Sequence, residues 1–86
     1  MLIVEVRFET PRPQGLVEIM GALSVPLGGL EVAALRESSD HRHFELEVEV
    51  DTGNAVQVDR RLVRKIEDEG WHVTLHGHRA PRGDAG

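Results

Sequence analysis

A short turn near the start of the chain holds the residues best suited to bind a small molecule. Arg12 lies between two prolines, and Gly15 stands just before an apolar stretch with helical spacing. Free N–H groups at a helix N-terminus attract a carboxylate, and a nearby arginine can form a charge-assisted hydrogen bond with it. Glycine also lets a ligand approach the backbone closely. The turn is therefore a candidate anion site, although the same residues also suit a tight strand-to-helix turn that binds nothing.

Five histidines form the second group that could do chemistry. The spacing His-x-His occurs twice, at residues 41–43 and 76–78, and places both rings of a pair on one face of an extended strand. Imidazoles near Glu45 and Glu47 would suit zinc or nickel. A joint site would need a bridging ligand or a second chain, because the expected sheet order separates the two pairs. Polar residues on a wet sheet face are the simpler interpretation, and neither a metal nor a cofactor is predicted.

The sequence lacks the residue patterns of a catalytic site. It contains no cysteine or tyrosine, no glycine-rich phosphate loop, and no serine in a nucleophile context. Glu45 and Glu47 share one strand face, but no apolar pocket is expected beside them. The protein is therefore predicted not to be an enzyme.

Composition and charge exclude further classes of protein. The chain has 86 residues, with 10 lysines and arginines against 15 aspartates and glutamates, and its formal net charge is -5. This acidity and the scarcity of aromatic residues disfavour nucleic-acid binding, which needs basic surface and stacking rings. The longest uncharged run, residues 19–30, is too short to span a membrane and contains a proline. The absence of cysteine favours a reducing, cytoplasmic setting.

Hydrophobic periodicity predicts the element order β-α-β-β-α-β in a single domain covering residues 1–78. Strands are predicted at residues 2–9, 30–35, 43–50 and 71–76, and helices at residues 16–23 and 55–69. Pro26 and the glycines that follow it are expected to end the first helix. Residues 79–86 contain proline and glycine and are predicted to form a mobile C-terminal tail.

This element order predicts an α+β fold of the ferredoxin-like type. Its four-stranded antiparallel sheet has the spatial order 4-1-3-2, with both helices on one face. The side chains expected to face the core are Leu2, Val4, Val6, Phe8, Val32, Ala34, Phe44, Leu46, Val48, Val50, Trp71, Val73 and Leu75. The outward face is expected to carry Glu5, Arg7, Glu9, His43, Glu45, Glu47, Glu49, His72 and His76.

Residues 11–23 resemble the opening of an ACT domain, a small regulatory ligand-binding module. In that family a strand leads into a turn of the type Asp-Arg-Pro-Gly-x-Leu and then into a helix patterned Leu-x-x-Ile-x-x-x-Leu. Leu16, Ile19 and Leu23 match the helical part of the pattern. Gln14 departs from it, because it separates the second proline of the turn from the glycine. Glu31 also departs, since it stands where the second strand of the family often has asparagine.

The resemblance implies a non-catalytic module that binds an amino acid or another small anionic metabolite. The ligand-binding residues that it implies are Arg12, Pro13, Gln14, Gly15, Leu16 and Glu31. Glu31 would receive the ligand's ammonium group from the second strand.

A homodimer joined through the second strand and the first helix is also expected. The second strand is an apolar edge, whereas the outward sheet face carries charges that are costly to desolvate. Two alternatives to the regulatory module stay open. One is a metal-responsive face of histidines and glutamates, and the other is a purely structural oligomerisation domain of a larger protein.

Overall fold

A computed structural model describes residues 1–81 of the chain. Its strands are β1 (Leu2–Glu9), β2 (Glu31–Glu37), β3 (His43–Val50) and β4 (His72–Arg79). Its helices are α1 (Leu16–Ala22), α2 (Ser24–Leu27) and α3 (Ala55–Asp68), and a 3₁₀ turn at Thr52–Asn54 precedes α3. The predicted tail at residues 79–86 begins inside β4, and residues 82–86 lie outside the described part of the chain.

The strands pair into one antiparallel sheet with the order β2-β3-β1-β4. β1 and β3 occupy the centre and pair without interruption from Leu2 opposite Val50 to Glu9 opposite His43. Apolar residues alternate strictly with polar ones along β3 and, from Val4 onward, along β1, which is the pattern of a strand with one buried face. The predicted α+β class and four-stranded antiparallel sheet are confirmed.

The core lies between one face of this sheet and the helices. The fully buried side chains of this layer include Val4, Val6, Ile19, Leu23, Leu46, Val48, Leu62 and Ile66. Phe8 stacks between two other rings, with its centroid 5.4 Å from that of Phe44 and 5.6 Å from that of Trp71. Each such side chain contributes about 1.5–3 kcal/mol when it leaves water. Apart from Ala34 and Leu75, every side chain predicted to face the core is buried or packed against it.

The first helical segment extends beyond its predicted end. α1 stops at Ala22, and the chain then continues into α2, which contains Pro26. The N–H of Leu27 donates to the carbonyl of Leu23 at 3.0 Å, so the helical hydrogen bonding resumes at once. The prediction that Pro26 helps to end the helix was wrong, whereas the following glycines do end it, because Gly28 caps the C-terminal end of α2. Proline is tolerated in the first turn of a helix, where its missing N–H would have no intrahelical acceptor.

A bulge in β4 changes which of its side chains face the core. The register of β4 against β1 shifts by one residue at Thr74. Leu75 consequently lies opposite Arg7 on the open face of the sheet, which is the face without helices, and is 41% exposed. His76 lies opposite Val6 on the face that carries the helices. The prediction of an inward Leu75 and an outward His76 was wrong, because one extra residue reverses the alternation.

A second bulge lies in β2 at Ala33, which has no partner in the register with β3. Val32 packs against the core, whereas Ala34 lies opposite Glu47 on the open face. Leu35 then packs against the core in place of Ala34. The prediction of an inward Ala34 was therefore wrong, for the same physical reason.

Candidate functional site

The turn between β1 and α1, at residues 10–15, is fastened to the turn between β2 and β3. The N–H of Thr10 donates to the carbonyl of Arg42 at 2.8 Å, and the N–H of Gln14 donates to the carbonyl of His41 at 2.9 Å. The Nε of Arg42 also donates to the carbonyl of Thr10 at 2.9 Å. Both ends of the candidate turn are thus held by a neighbouring loop, which the sequence analysis did not anticipate.

Thr10 is a second residue that the sequence analysis missed. It is completely buried, and its hydroxyl donates to the carbonyl of Arg12 at 2.7 Å. Threonine hydroxyls commonly close such local turns, so a threonine directly before Pro11 is the signal that could have identified it. The hydrogen bond holds the backbone at Arg12 while the guanidinium remains in solvent.

Asp40 organises the neighbouring turn between β2 and β3. Its carboxylate accepts hydrogen bonds from the hydroxyl of Ser38 and, at 3.0 Å, from the N–H of Arg42, and it lies 3.1 Å from Nδ1 of His43. These partners, the Ser38 hydroxyl above all, hold the pKa of Asp40 well below its ordinary value of 3.8. Since Arg42 in turn binds Thr10, Asp40 supports the candidate turn indirectly.

Asp40→Asn is expected to lower stability near neutral pH and to have less effect in acid. A lowered folded-state pKa means that ionised Asp40 favours the folded state. Its contribution is fully present above pH 3.8 and is lost as the pH falls through the lower folded-state value. Urea unfolding of both proteins between about pH 7 and pH 2 measures the difference, which should be constant above about pH 5 and shrink below it. Asp51→Asn, at an exposed aspartate with no capping hydrogen bond, is the control. A difference between Asp40→Asn and wild type that persists unchanged in strong acid would contradict this role.

Only some of the backbone N–H groups at the start of α1 donate a hydrogen bond. The N–H of Gly15 donates to Oε1 of Glu18 at 3.0 Å, and the first helical bond runs from the N–H of Ile19 to the carbonyl of Gly15 at 3.1 Å. Within residues 1–81, the N–H groups of Leu16 and Val17 have no acceptor. These two groups are free to bind an anion.

The backbone conformation at position 15 does not require glycine. Gly15 has φ -87° and ψ 159°, which any residue can adopt. A Cβ added there would lie 3.2 Å from Oε1 of Glu18, the far end of a flexible side chain. An alanine at this position is therefore compatible with the fold, and its methyl group would lie beside the Glu18 carboxylate at the start of α1.

One chain does not bring all of the predicted ligand residues together. Residues 12–16 follow the C-terminal end of β1, and the side chain of Arg12 is exposed. β2 runs parallel to β1, so Glu31 at its start lies at the opposite end of the sheet, roughly 25 Å away along the strands. Glu31 is also opposite Glu49 on the open face. It can therefore meet the turn only from a second chain.

The histidines are dispersed over the described structure. Nδ1 of His76 lies 3.0 Å from Oδ1 of Asp59 on α3, on the helical side of the sheet. Nε2 of His43 lies 3.1 Å from Glu9 on the open side. His41 lies in the turn between β2 and β3 with φ 57°, and its Nδ1 is 3.1 Å from Glu37. The two His-x-His pairs do not form a common site.

The open face of the sheet carries a lattice of ion-paired side chains, in which arginines alternate with glutamates. Arg7 lies 2.9 Å from Glu45, Arg36 lies 3.3 Å from both Glu45 and Glu47, and Arg79 lies 3.2 Å from Glu47. These side chains line a shallow cavity of about 600 Å³. Oppositely charged neighbours across strands stabilise a sheet modestly, by about 0.2–1 kcal/mol per pair.

Three carboxylates in this lattice approach one another closely. Ligand atoms of Glu5, Glu45 and Glu47 lie within 4.8 Å of each other, and no other such group of three occurs within residues 1–81. The oxygens that a metal ion would need are already beside guanidinium groups, including that of Arg7 at 3.7 Å from Glu5. The arrangement fits ion pairing between side chains.

Across the described residues, no helix has the length and apolar content required to cross a membrane. Comparison of the chain with known protein families, with curated proteins and with solved structures finds no match.

Proposed function

We propose that the protein is a cytoplasmic, non-catalytic regulatory module with the ferredoxin-like fold of ACT domains. Its ligand is a small anionic metabolite, such as an amino acid, bound at the turn between β1 and α1. The sheet order β2-β3-β1-β4 supports the ferredoxin-like type. The observation that carries the site is the pinned turn. Its backbone is held at Thr10 and Gln14, while Arg12 between them is exposed and, in the described chain, forms no ion pair.

The ligand's carboxylate is expected to accept hydrogen bonds from the N–H groups of Leu16 and Val17 and from the guanidinium of Arg12. Glu18 already occupies the N–H of Gly15, so the ligand is expected to use the N–H groups that follow it in α1. A turn that is held in shape before binding loses little conformational freedom when the ligand arrives. This preorganisation favours binding of a molecule with few atoms.

We further infer a homodimer in which the β2 strands of two chains pair antiparallel. When the twofold axis passes through the middle of β2, Glu31 lies opposite the partner's Arg36, and Val32 lies opposite the partner's Leu35. In a regular strand Val32 and Leu35 would face opposite sides of the sheet. The bulge at Ala33 turns both toward the core side, which makes the apolar pair possible. The same shift puts Glu31 and Arg36 together on the open side.

This pairing only partly reduces the distance between the two parts of the predicted ligand site. It brings the partner's Glu31 beside Arg36, at the end of the sheet that holds the turn, but on the open face and three strand spacings, roughly 14 Å, from β1. Leu16, Val17 and Met20 of α1 are exposed and offer further apolar surface to a partner. The twofold symmetry repeats every contact, so each ion pair occurs twice.

The same dimer would also serve a purely structural oligomerisation domain, which is the second candidate function. The unpaired edge of β2, whose central residues 32–35 are uncharged, favours that candidate equally. Ligand binding distinguishes the two functions, because a structural domain has no use for an accessible anion site.

A thermal-shift screen of amino acids and common carboxylates is expected to find a ligand that raises the melting temperature. The stabilisation should reach about 2.7 kcal/mol at a hundredfold excess over the dissociation constant. Amide chemical-shift mapping should then show changes at Leu16 and Val17. Binding should weaken in Arg12→Gln and in Gly15→Ala.

The control for the glycine substitution is Gly21→Ala in the same helix, where an added Cβ meets no atom within 4 Å. It should leave binding unchanged. If no carboxylate moves the amides at the start of α1, or if Gly15→Ala binds as the wild type does, the regulatory proposal is wrong and the structural candidate remains.

A further inference from the structure

The outer side of α3 concentrates positive charge that the rest of the described structure does not neutralise. Arg60, Arg61 and Arg64 are exposed, and within residues 1–81 none of them forms an ion pair. Lys65 on the same helix differs, because it pairs with Glu69 at 3.0 Å. The chain has an excess of acidic residues, so three neighbouring arginines without acidic partners are a local departure from its overall charge.

These arginines line a groove with a volume of about 400 Å³ on the exposed side of α3 next to β4. The other lining residues are Val63, Glu67 and His76. His76 belongs to β4, and it reaches the helical side only because of the bulge at Thr74. Glu67 is the one acidic residue among them, so the lining carries a net positive charge. A groove of this size holds a small metabolite rather than a single ion.

Asp59 on α3 holds the ring of His76 in one orientation. Its Nδ1 lies 3.0 and 3.2 Å from the two carboxylate oxygens of Asp59, whose side chain is only 13% exposed. An Nδ1–H donated to this carboxylate fixes the tilt of the ring. Nε2 has no hydrogen-bond partner in the part of the chain that the structure describes. It is therefore available to a ligand in the groove.

We propose that this groove binds the phosphate group of a small phosphorylated metabolite. Arg60 and Arg64 are one helical turn apart, so their guanidinium groups can hold one phosphate from two sides. Guanidinium groups form paired hydrogen bonds with phosphate oxygens and stay charged at any physiological pH. Arg61 adds charge at the rim, and His76 can donate from Nε2 when its ring is protonated. This site shares no residue with the turn between β1 and α1 and does not depend on the function proposed there.

Titration of ¹⁵N-labelled protein with inorganic phosphate and with glycerol phosphate, at constant ionic strength, tests the site. Saturable shifts are expected at the amides around Arg60 and Arg64 and at the ring protons of His76. The dissociation constant should rise about tenfold in Arg60→Gln and in Arg64→Gln, because each removes one charge-assisted contact. Arg7→Gln, which removes an exposed arginine on the opposite face of the sheet, should leave phosphate binding unchanged.

Three outcomes would overturn the proposal. The first is a set of shifts that grow linearly and that chloride reproduces, which would indicate ionic screening only. The second is an equal loss of phosphate binding in Arg12→Gln, which would place the anion at the other turn. The third is tighter binding to a short DNA duplex than to glycerol phosphate, which would indicate a nucleic-acid surface. Failure of the phosphate test would not change the result expected for carboxylate binding at Leu16 and Val17.

Discussion

Ile19→Ala is expected to remove about 2–5 kcal/mol from the free energy of unfolding. Ile19 is completely buried and is the one buried residue of α1. Its truncation leaves a cavity in the layer that also contains Leu23 and Leu27, and α1 loses its main contact with the core. In a domain of this size the melting temperature should fall by about 10 °C or more.

Urea unfolding followed by the fluorescence of Trp71 measures this loss, because the indole is buried against Phe8. Val17→Ala on the same helix is the control. Its side chain is 85% exposed, so the expected change is below about 0.5 kcal/mol. Equal losses in Ile19→Ala and Val17→Ala would contradict the placement of α1 against the sheet.

Glu31→Arg is expected to weaken the proposed dimer by about tenfold to a hundredfold. The substitution places an arginine opposite the partner's Arg36, and the twofold axis repeats this repulsion at the other end of the interface. Opposite charges that face each other across paired strands contribute about 0.2–1 kcal/mol per pair. Changing attraction to repulsion at two places adds several such contributions to the loss of binding free energy. Sedimentation equilibrium at several protein concentrations measures the dissociation constant.

Glu37→Arg makes the same change of charge on the same strand, but in the proposed register residue 37 lies opposite the uncharged Leu30. It should therefore weaken the dimer little. Added salt should restore part of the affinity of Glu31→Arg, because repulsion between exposed charges is screened. A wild-type chain that sediments as a monomer at every concentration would exclude the dimer altogether.

The parts of the fold that could be predicted from the sequence are those with uninterrupted periodicity. β3 alternates apolar and polar residues without a break, β1 does so from Val4 onward, and the two strands pair in one continuous register. The stripe of Val58, Leu62 and Ile66 likewise placed α3 correctly. The bulges at Ala33 and Thr74 could not be predicted in this way. A bulge depends on how a strand meets its neighbour, and periodicity within one strand does not contain that information.

The candidate turn was only partly predictable. Prolines and Gly15 located it, because these residues mark where a strand must stop and a helix can start. Its support by Asp40 and Arg42 joins segments about thirty positions apart, and no local pattern reports such a contact. The separation of Glu31 from the turn, by contrast, follows from the parallel direction of β1 and β2, which the predicted sheet order already implies.

The hydrogen bonds between the two turns give the proposed ligand site a thermodynamic connection to the proposed dimer. The segment that carries Arg42 also carries the end of β2, so these hydrogen bonds tie the position of the turn between β1 and α1 to the position of one end of the edge strand. A ligand that tightens dimerisation by some factor must itself bind the dimer more tightly than the monomer by that same factor. The concentration of the chain would then set its apparent affinity for the metabolite. Two cells holding different amounts of this protein would respond to different metabolite levels.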